Sequence, residues 1–258
     1  MAEVNAYAPG TFCWMELATT NQATAKQFYT SLFNWNSNDQ PMGPDQFYTM
    51  LELGGKSVGA LYGLDNDQVA NGVPAHWNAY VSVANVDEAT KQAEALGGTT
   101  ILAPFDVMDV GRMSIIKDPT GAQLCLWQPK QHQGAAITDD PHAFCWYELN
   151  TNDPEKAVNF YTKLFGWTTG GSPEYVELKQ GDRTFGGIMK IKAEWGNVPP
   201  HWLSYIHAPN VDETTSKAKT LGANVVVPPM EIPNTGKFSV LADPQGAVFA
   251  LYQPKATV

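Results

Sequence analysis

The chain has three cysteines in 258 residues, Cys13, Cys125 and Cys145. An odd number does not suggest a disulfide framework, and a cytoplasmic setting is the default expectation. Basic residues are also scarce: 16 Lys and Arg against 26 Asp and Glu leave a formal net charge of -10. No cluster of positive side chains is available to displace counterions from phosphates, so no nucleic-acid partner is expected. Attraction to an anionic membrane surface is disfavoured for the same reason. Long apolar runs are missing as well: nothing approaches the roughly 20 residues of a membrane-spanning helix. Residues 1–10 lack the basic start and apolar run of a signal peptide. No glycine-rich loop opens a helix as a phosphate cradle, and no serine nucleophile elbow is present.

What the sequence does contain is itself, twice. Phe12-Cys13-Trp14-Met15-Glu16-Leu17 returns as Phe144-Cys145-Trp146-Tyr147-Glu148-Leu149. The segment Phe28 to Trp35 returns as Phe160 to Trp167, and His76-Trp77 with Tyr80 returns as His201-Trp202 with Tyr205. Asp118-Pro119-Thr120-Gly121 returns as Asp243-Pro244-Gln245-Gly246, and Gln128-Pro129-Lys130 as Gln253-Pro254-Lys255. The order is the same in both halves, and the offset drifts only from 132 to 125 residues. This is a duplication: a first domain over 1–130, a linker over 131–141 and a second domain over 142–258. The linker carries His132, Gly134, Asp139 and Asp140, a composition that suits an exposed connection. Its shortness implies that the halves pack together, as a monomer with internal pairing or as a homodimer.

Each half divides again. Residues 12–18 read as a strand, and Asn21 to Phe33 as an amphipathic helix capped by Thr20 or Asn21, with Ala25, Phe28, Tyr29, Leu32 and Phe33 on one face. Strands follow near 46–53 and 56–61, turned by Gly54-Gly55. The cycle restarts with a strand at 77–83 and a helix from Asp87 to Leu96, then strands at 112–117 and 122–128 around a turn at 118–121. Four strand–helix–strands modules of this kind make an α+β protein.

The arrangement resembles the vicinal oxygen chelate superfamily: glyoxalase I, extradiol dioxygenases, and the fosfomycin- and bleomycin-resistance proteins. The residues that carry the likeness are Ala-x-x-Phe-Tyr-x-x-Leu-Phe-x-Trp (Ala25 to Trp35, Ala157 to Trp167) and Asp-Pro-x-Gly before each half's last strand. The resemblance implies two tandem domains, each of two paired βαβββ modules whose curved mixed sheets enclose a cup. Metal enzymes of the family place His, Gln or Glu on four strands facing that cup. Here those positions fall on Trp14, Ala60, Asn78 and Cys125, and on Trp146, Gly187, Leu203 and Ala250. Indole, methyl and leucyl groups do not coordinate a divalent cation, so no metal and no other cofactor is expected.

Alternation along a strand brings further residues to the cup. Trp14 implies Glu16, Asn78 implies His76 and Tyr80, and Cys125 implies Trp127. The second copy gives Trp146 and Glu148, His201 and Tyr205, and Tyr252. Trp14, Asn78, Tyr80, Trp127, Trp146, Tyr205 and Tyr252 are the expected ligand-binding residues; Glu16, His76, Glu148 and His201 are candidate acid–base pairs, Glu16 with His76 and Glu148 with His201. Cys13 and Cys145 alternate with the tryptophans and are expected on the helix side. Core packing of the tryptophans, and structural struts made by the glutamates, are the competing readings. Three functions follow: metal-independent binding of a small aromatic or amphipathic molecule, glyoxalase-like lyase, isomerase or hydroxylase chemistry through the Glu/His pairs, or a side-chain-filled cup in a protein that acts through its surface.

Overall fold

The computed structural model describes residues 3–44 and 46–255. The first half runs β1 (Phe12–Thr19), α1 (Gln22–Phe33), β2 (Asn36–Gly43), β3 (Gln46–Leu53), β4 (Lys56–Gly63), α2 (Asn66–Ala70), β5 (His76–Ser82), α3 (Val86–Ala95), β6 (Thr99–Val107), β7 (Gly111–Lys117) and β8 (Gln123–Pro129). The second repeats it: β9 (Phe144–Thr151), α4 (Pro154–Phe165), β10 (Thr168–Ser172), β11 (Tyr175–Gln180), β12 (Arg183–Lys190), β13 (His201–His207), α5 (Val211–Thr220), β14 (Asn224–Ile232), β15 (Gly236–Ala242) and β16 (Val248–Pro254). Among the described residues no helix is long and apolar enough to cross a membrane.

Each half is one eight-stranded mixed sheet, ordered β2-β3-β4-β1-β5-β8-β7-β6 and, in the copy, β10-β11-β12-β9-β13-β16-β15-β14. The two modules of a half meet where their first strands pair antiparallel, β1 with β5 and β9 with β13. Asn21, one of the two expected caps, caps α1 by accepting from the Thr24 N–H, and Asp153 caps α4 in the same way. The edge strands β2 and β6 escaped location in the sequence because their side chains are mostly exposed and show no apolar alternation.

One buried apolar cluster spans both halves. Phe12 stacks on Tyr147 with ring centroids 4.1 Å apart, and Trp77 meets Phe144 edge-on at 5.1 Å. Two reciprocal polar latches cross the same seam. Trp77 Nε1 donates to Tyr29 Oη, which donates to Asp243; Trp202 Nε1 donates to Tyr161 Oη, which donates to Asp118. Trp35 Nε1 donates to the His142 carbonyl, and Trp167 Nε1 to the Gly10 carbonyl. The Phe-Tyr helix motif of one half therefore engages the Asp-Pro-x-Gly turn of the other. Asp118 Oδ1 accepts from the backbone N–H groups of Thr120, Gly121 and Ala122, so its carboxylate closes the turn while Oδ2 receives the tyrosine.

The segment 131–141, expected as an exposed linker, lies against the first half instead. Ala135 and Ile137 are buried, and the Ala135 and Ala136 N–H groups donate to the Cys13 and Ser57 carbonyls.

Candidate functional site

Two further apolar clusters mark the two cups. The first gathers Trp14, Tyr80, Cys125 and Trp127 with Cys13, Ala60 and Met113; the second gathers Leu203, Tyr205 and Ala250 with half-buried Trp146, Tyr252 and Phe238. The expected aromatic residues are thus brought together, three from each copy. The cysteine expectation fails: Cys13 and Cys145 sit with the cup clusters, not on the helix side. The cause is a bulge in each pairing, between Phe12 and Trp14 and between Tyr205 and Ile206, which puts two residues opposite one and breaks alternation.

The expected Glu/His pairs do not form either. Register sets Trp14 opposite Tyr80, Glu16 opposite Asn78 and Ala18 opposite His76, two residues away from the pairing that would join Glu16 to His76. The copy does the same, with Glu148 opposite Leu203 and His201 opposite Asn150. The rings of His76 and His201 bond through Nδ1 to the Pro74 and Pro199 carbonyls at the strand starts, each at 2.8 Å.

Tyrosines take the histidines' place. Tyr80 Oη donates to Glu16 Oε2 at 2.8 Å, and Tyr48 Oη donates to the same oxygen at 3.3 Å. Trp14 Nε1 in turn donates to Tyr48 Oη at 3.1 Å. In the second cup Trp146 Nε1 donates to Tyr175 Oη at 2.8 Å, and Tyr205 Oη to Glu148 Oε1 at 3.1 Å. Neither glutamate has a cationic partner among the described residues. Desolvation pushes Glu16 up to about 7, partly offset by the two phenol hydrogen bonds, and Glu148 also moves up for the same cause. Burial raises the phenols of Tyr48, Tyr80 and Tyr205 further, so they remain neutral donors.

Tyr48 and Tyr175 were not singled out from sequence. The available signal was their offset, 127 residues, which lies within the drift of the other repeats. His132 is the other omission. Its ring lies edge-on against Trp14 at 4.4 Å and near Trp127 at 5.9 Å, so the segment between the halves completes the wall of the first cup.

The side chains at the four metal-ligand positions do not suit a metal. The Trp14 and Trp146 indoles present N–H donors already committed to tyrosines. The Cys125 thiol is buried and pushed up, away from the thiolate form a cation needs. At Gly187 a Cβ would run into the Tyr175 ring, so the phenol occupies the space a liganding side chain would use. Among the described residues no group of three or more His, Cys, Asp or Glu converges as a metal site. Two open hollows of about 340 and 460 Å³, one beside Asp212 and Lys237 and the other beside Asp65 and Asp67, lie on the surface away from both cups. No residue of either cup cluster lines them; the cups themselves combine apolar walls with a few enclosed polar groups.

This fold, with these repeated motifs, defines a tandem vicinal oxygen chelate protein. Residues 11–126 and 143–251 each match the model of the Glyoxalase/Bleomycin resistance protein/Dioxygenase superfamily, and the chain belongs to that family. It is 38% identical over 260 residues to the putative glyoxylase CFP32 of Mycobacterium tuberculosis, with 98% of each chain covered. It is 32% identical to the anthracycline biosynthesis protein DnrV of Streptomyces peucetius, covering 96% of this chain and 94% of that one. In fold it is similar to the 2,3-dioxygenase LapB from Pseudomonas sp. KL28, with a TM-score of 0.66, 14% identity, and coverage of 99% and 94%.

Proposed function

We propose that this protein binds a small, flat aromatic or amphipathic molecule in its cups without a metal ion. The observation that carries this reading is the Trp–Tyr–Glu–Tyr set that recurs in both cups, joined throughout by hydrogen bonds in the first and through its Trp–Tyr and Tyr–Glu pairs in the second. Indole and phenol faces offer stacking surface, and a carboxyl held by neutral phenols offers a polar contact without a fixed charge partner. The name of the DnrV relative points the same way, because an anthracycline has flat aromatic faces and a polar rim. The test is a tryptophan-fluorescence titration of the purified chain with the dihydroxyanthraquinone quinizarin, alongside elemental analysis for metals. Saturable quenching with far less than one equivalent of metal supports the reading. No saturation, or a stoichiometric transition metal, overturns it.

A second reading is favoured by the setting of Glu16, whose carboxyl accepts from two phenols with no cationic partner among the described residues and is pushed by desolvation up to about 7. A carboxyl poised there can give or take a proton at neutral pH, so the first cup also suits acid–base chemistry of the lyase or isomerase kind. In that reading Glu16 and Glu148 act beside tyrosines, and His76 and His201 have no part in the proton transfer. Turnover of an identified substrate that survives Glu16→Gln and Glu148→Gln together would remove it.

A further inference from the structure

His132 belongs to the segment joining the halves, yet its ring is held inside the first cup by contacts that involve none of its own ring nitrogens. The backbone is pinned on both sides: the His132 N–H donates to the Val110 carbonyl at 3.0 Å, and the His132 carbonyl accepts from Trp127 Nε1 at 2.9 Å. Two residues on, Gly134 takes φ +133, and a Cβ there would collide with the Cys13 carbonyl and the Tyr7 ring. The Ala135 N–H then donates to the Cys13 carbonyl at 2.8 Å, and Tyr7 Oη donates to the Ala135 carbonyl at 2.7 Å. These anchors press the imidazole against Trp14 and Trp127. Its Nε2 is enclosed and has no hydrogen-bond partner. An enclosed ring nitrogen left unpaired is disfavoured, and such atoms in folded proteins call for a specific explanation.

We infer that His132 is a ligand-contacting residue of the first cup, with Nε2 the atom that meets the bound molecule. This rests on the cup-binding reading above and deepens it. Trp14 lies between two polar groups: its ring touches the imidazole, and its Nε1 leads through Tyr48 to Glu16. A molecule stacked in this cup meets the imidazole at one edge and the phenol–carboxyl set at another. The ligand class that fits is a flat, uncharged aromatic bearing hydroxyl or carbonyl groups on opposite edges. Burial lowers the imidazole pKa and favours the neutral ring, which has one N–H and one lone pair and can serve either kind of group.

The test uses proton–nitrogen correlation spectra of the full chain, with the Trp14 indole signal reporting the first cup and the Trp146 signal the second, each assigned by its Trp→Phe variant. Quinizarin is expected to shift the Trp14 signal saturably in the unaltered protein. His132→Phe, or His132→Ala if the phenylalanine variant does not fold, is expected to weaken that binding about tenfold, the effect of one lost hydrogen bond. His132→Asn is expected to retain most of it. If neither indole signal moves, the cup-binding reading fails and this inference falls with it. If only the Trp146 signal moves, or if His132→Phe and His132→Ala bind as the unaltered protein does, the cup reading stands and the role of His132 is refuted.

Discussion

Replacing Glu16 by glutamine tests the physical state of the first cup directly. Desolvation raises the carboxyl from its ordinary 4.5 to about 7, so the folded protein holds a proton that the unfolded chain has already released. Between those values the native state binds more protons, and stability falls as pH rises. The contribution is fully present below the unfolded value and is lost as pH passes through 7. At 1.36 kcal/mol per pKa unit the whole effect is about 3 kcal/mol, an upper value because Glu16 is half-buried and water screens part of it. Roughly 1.4 kcal/mol of it falls between pH 6 and 8.5, a range clear of the isoelectric point near 4.9. Glutamine keeps an acceptor for Tyr48 and Tyr80 and does not titrate. Urea unfolding of both proteins at pH 6, 7 and 8.5 should show the stability of Glu16→Gln gaining on the parent as pH rises. A shift of about 0.5 M in the relative midpoint is expected, given an m-value of about 3 kcal/mol/M. Other titrating groups cancel in the difference. Parallel pH profiles for the two proteins would refute the claim that this carboxyl is desolvated without a cationic partner.

Three further outcomes follow from the geometry. Tyr29→Phe and Tyr161→Phe each strip a hydroxyl that accepts from a tryptophan and donates to an aspartate of the other half. Each should cost about 1–3 kcal/mol in urea unfolding, and by similar amounts, because the latches are copies; no loss in either would refute the latch. Gly134→Ala should lower stability by about 1–3 kcal/mol, since position 134 combines φ +133 with a close approach to the Cys13 carbonyl; an unchanged melting temperature would mean the strap is not seated as described. In native alkylation followed by mass spectrometry, half-buried Cys145 should react before Cys13 and Cys125, which are enclosed in the first cup. Faster labelling of Cys125 would show that cup to be open.

The sequence made the architecture legible because duplication prints each structural unit twice. Trp14, Tyr80 and Trp127 could be placed in one cup because the family resemblance names the cup-facing positions and period-two alternation extends them. Register is a different matter. Nothing local to β1 or β5 distinguishes a pairing of Glu16 with His76 from the observed pairing with Asn78, because both keep the same side chains on the same face. A slip of two residues preserves the hydrophobic pattern and changes only who touches whom. The bulges at Cys13 and Cys145 were hidden for a related reason: an extra residue in a strand follows from how two strands meet. His132 was invisible as a site residue because a polar linker composition does not reveal what the linker lies against.

The two copies differ in an ordered way, and the pattern separates scaffold from site. Every residue of the cross-half latch is identical between them: Tyr29 and Tyr161, Trp77 and Trp202, Asp118 and Asp243. These residues touch across the pseudo-twofold seam, so a change on one side leaves a buried partner unsatisfied on the other. Cup residues carry no such constraint. Asn78 becomes Leu203, Met113 becomes Phe238, Cys125 becomes Ala250 and Trp127 becomes Tyr252. The Trp–Tyr–Glu–Tyr set is the exception: its four residues recur in both cups, and the hydrogen bonds among them stay within one half. Each glutamate is desolvated and accepts from phenols of its own cup, so a change at one member leaves a buried polar partner unsatisfied, as at the latch. The walls around this set differ, and among the described residues the His132 imidazole enters the first cup alone, so on the binding reading proposed above the two cups would take different molecules.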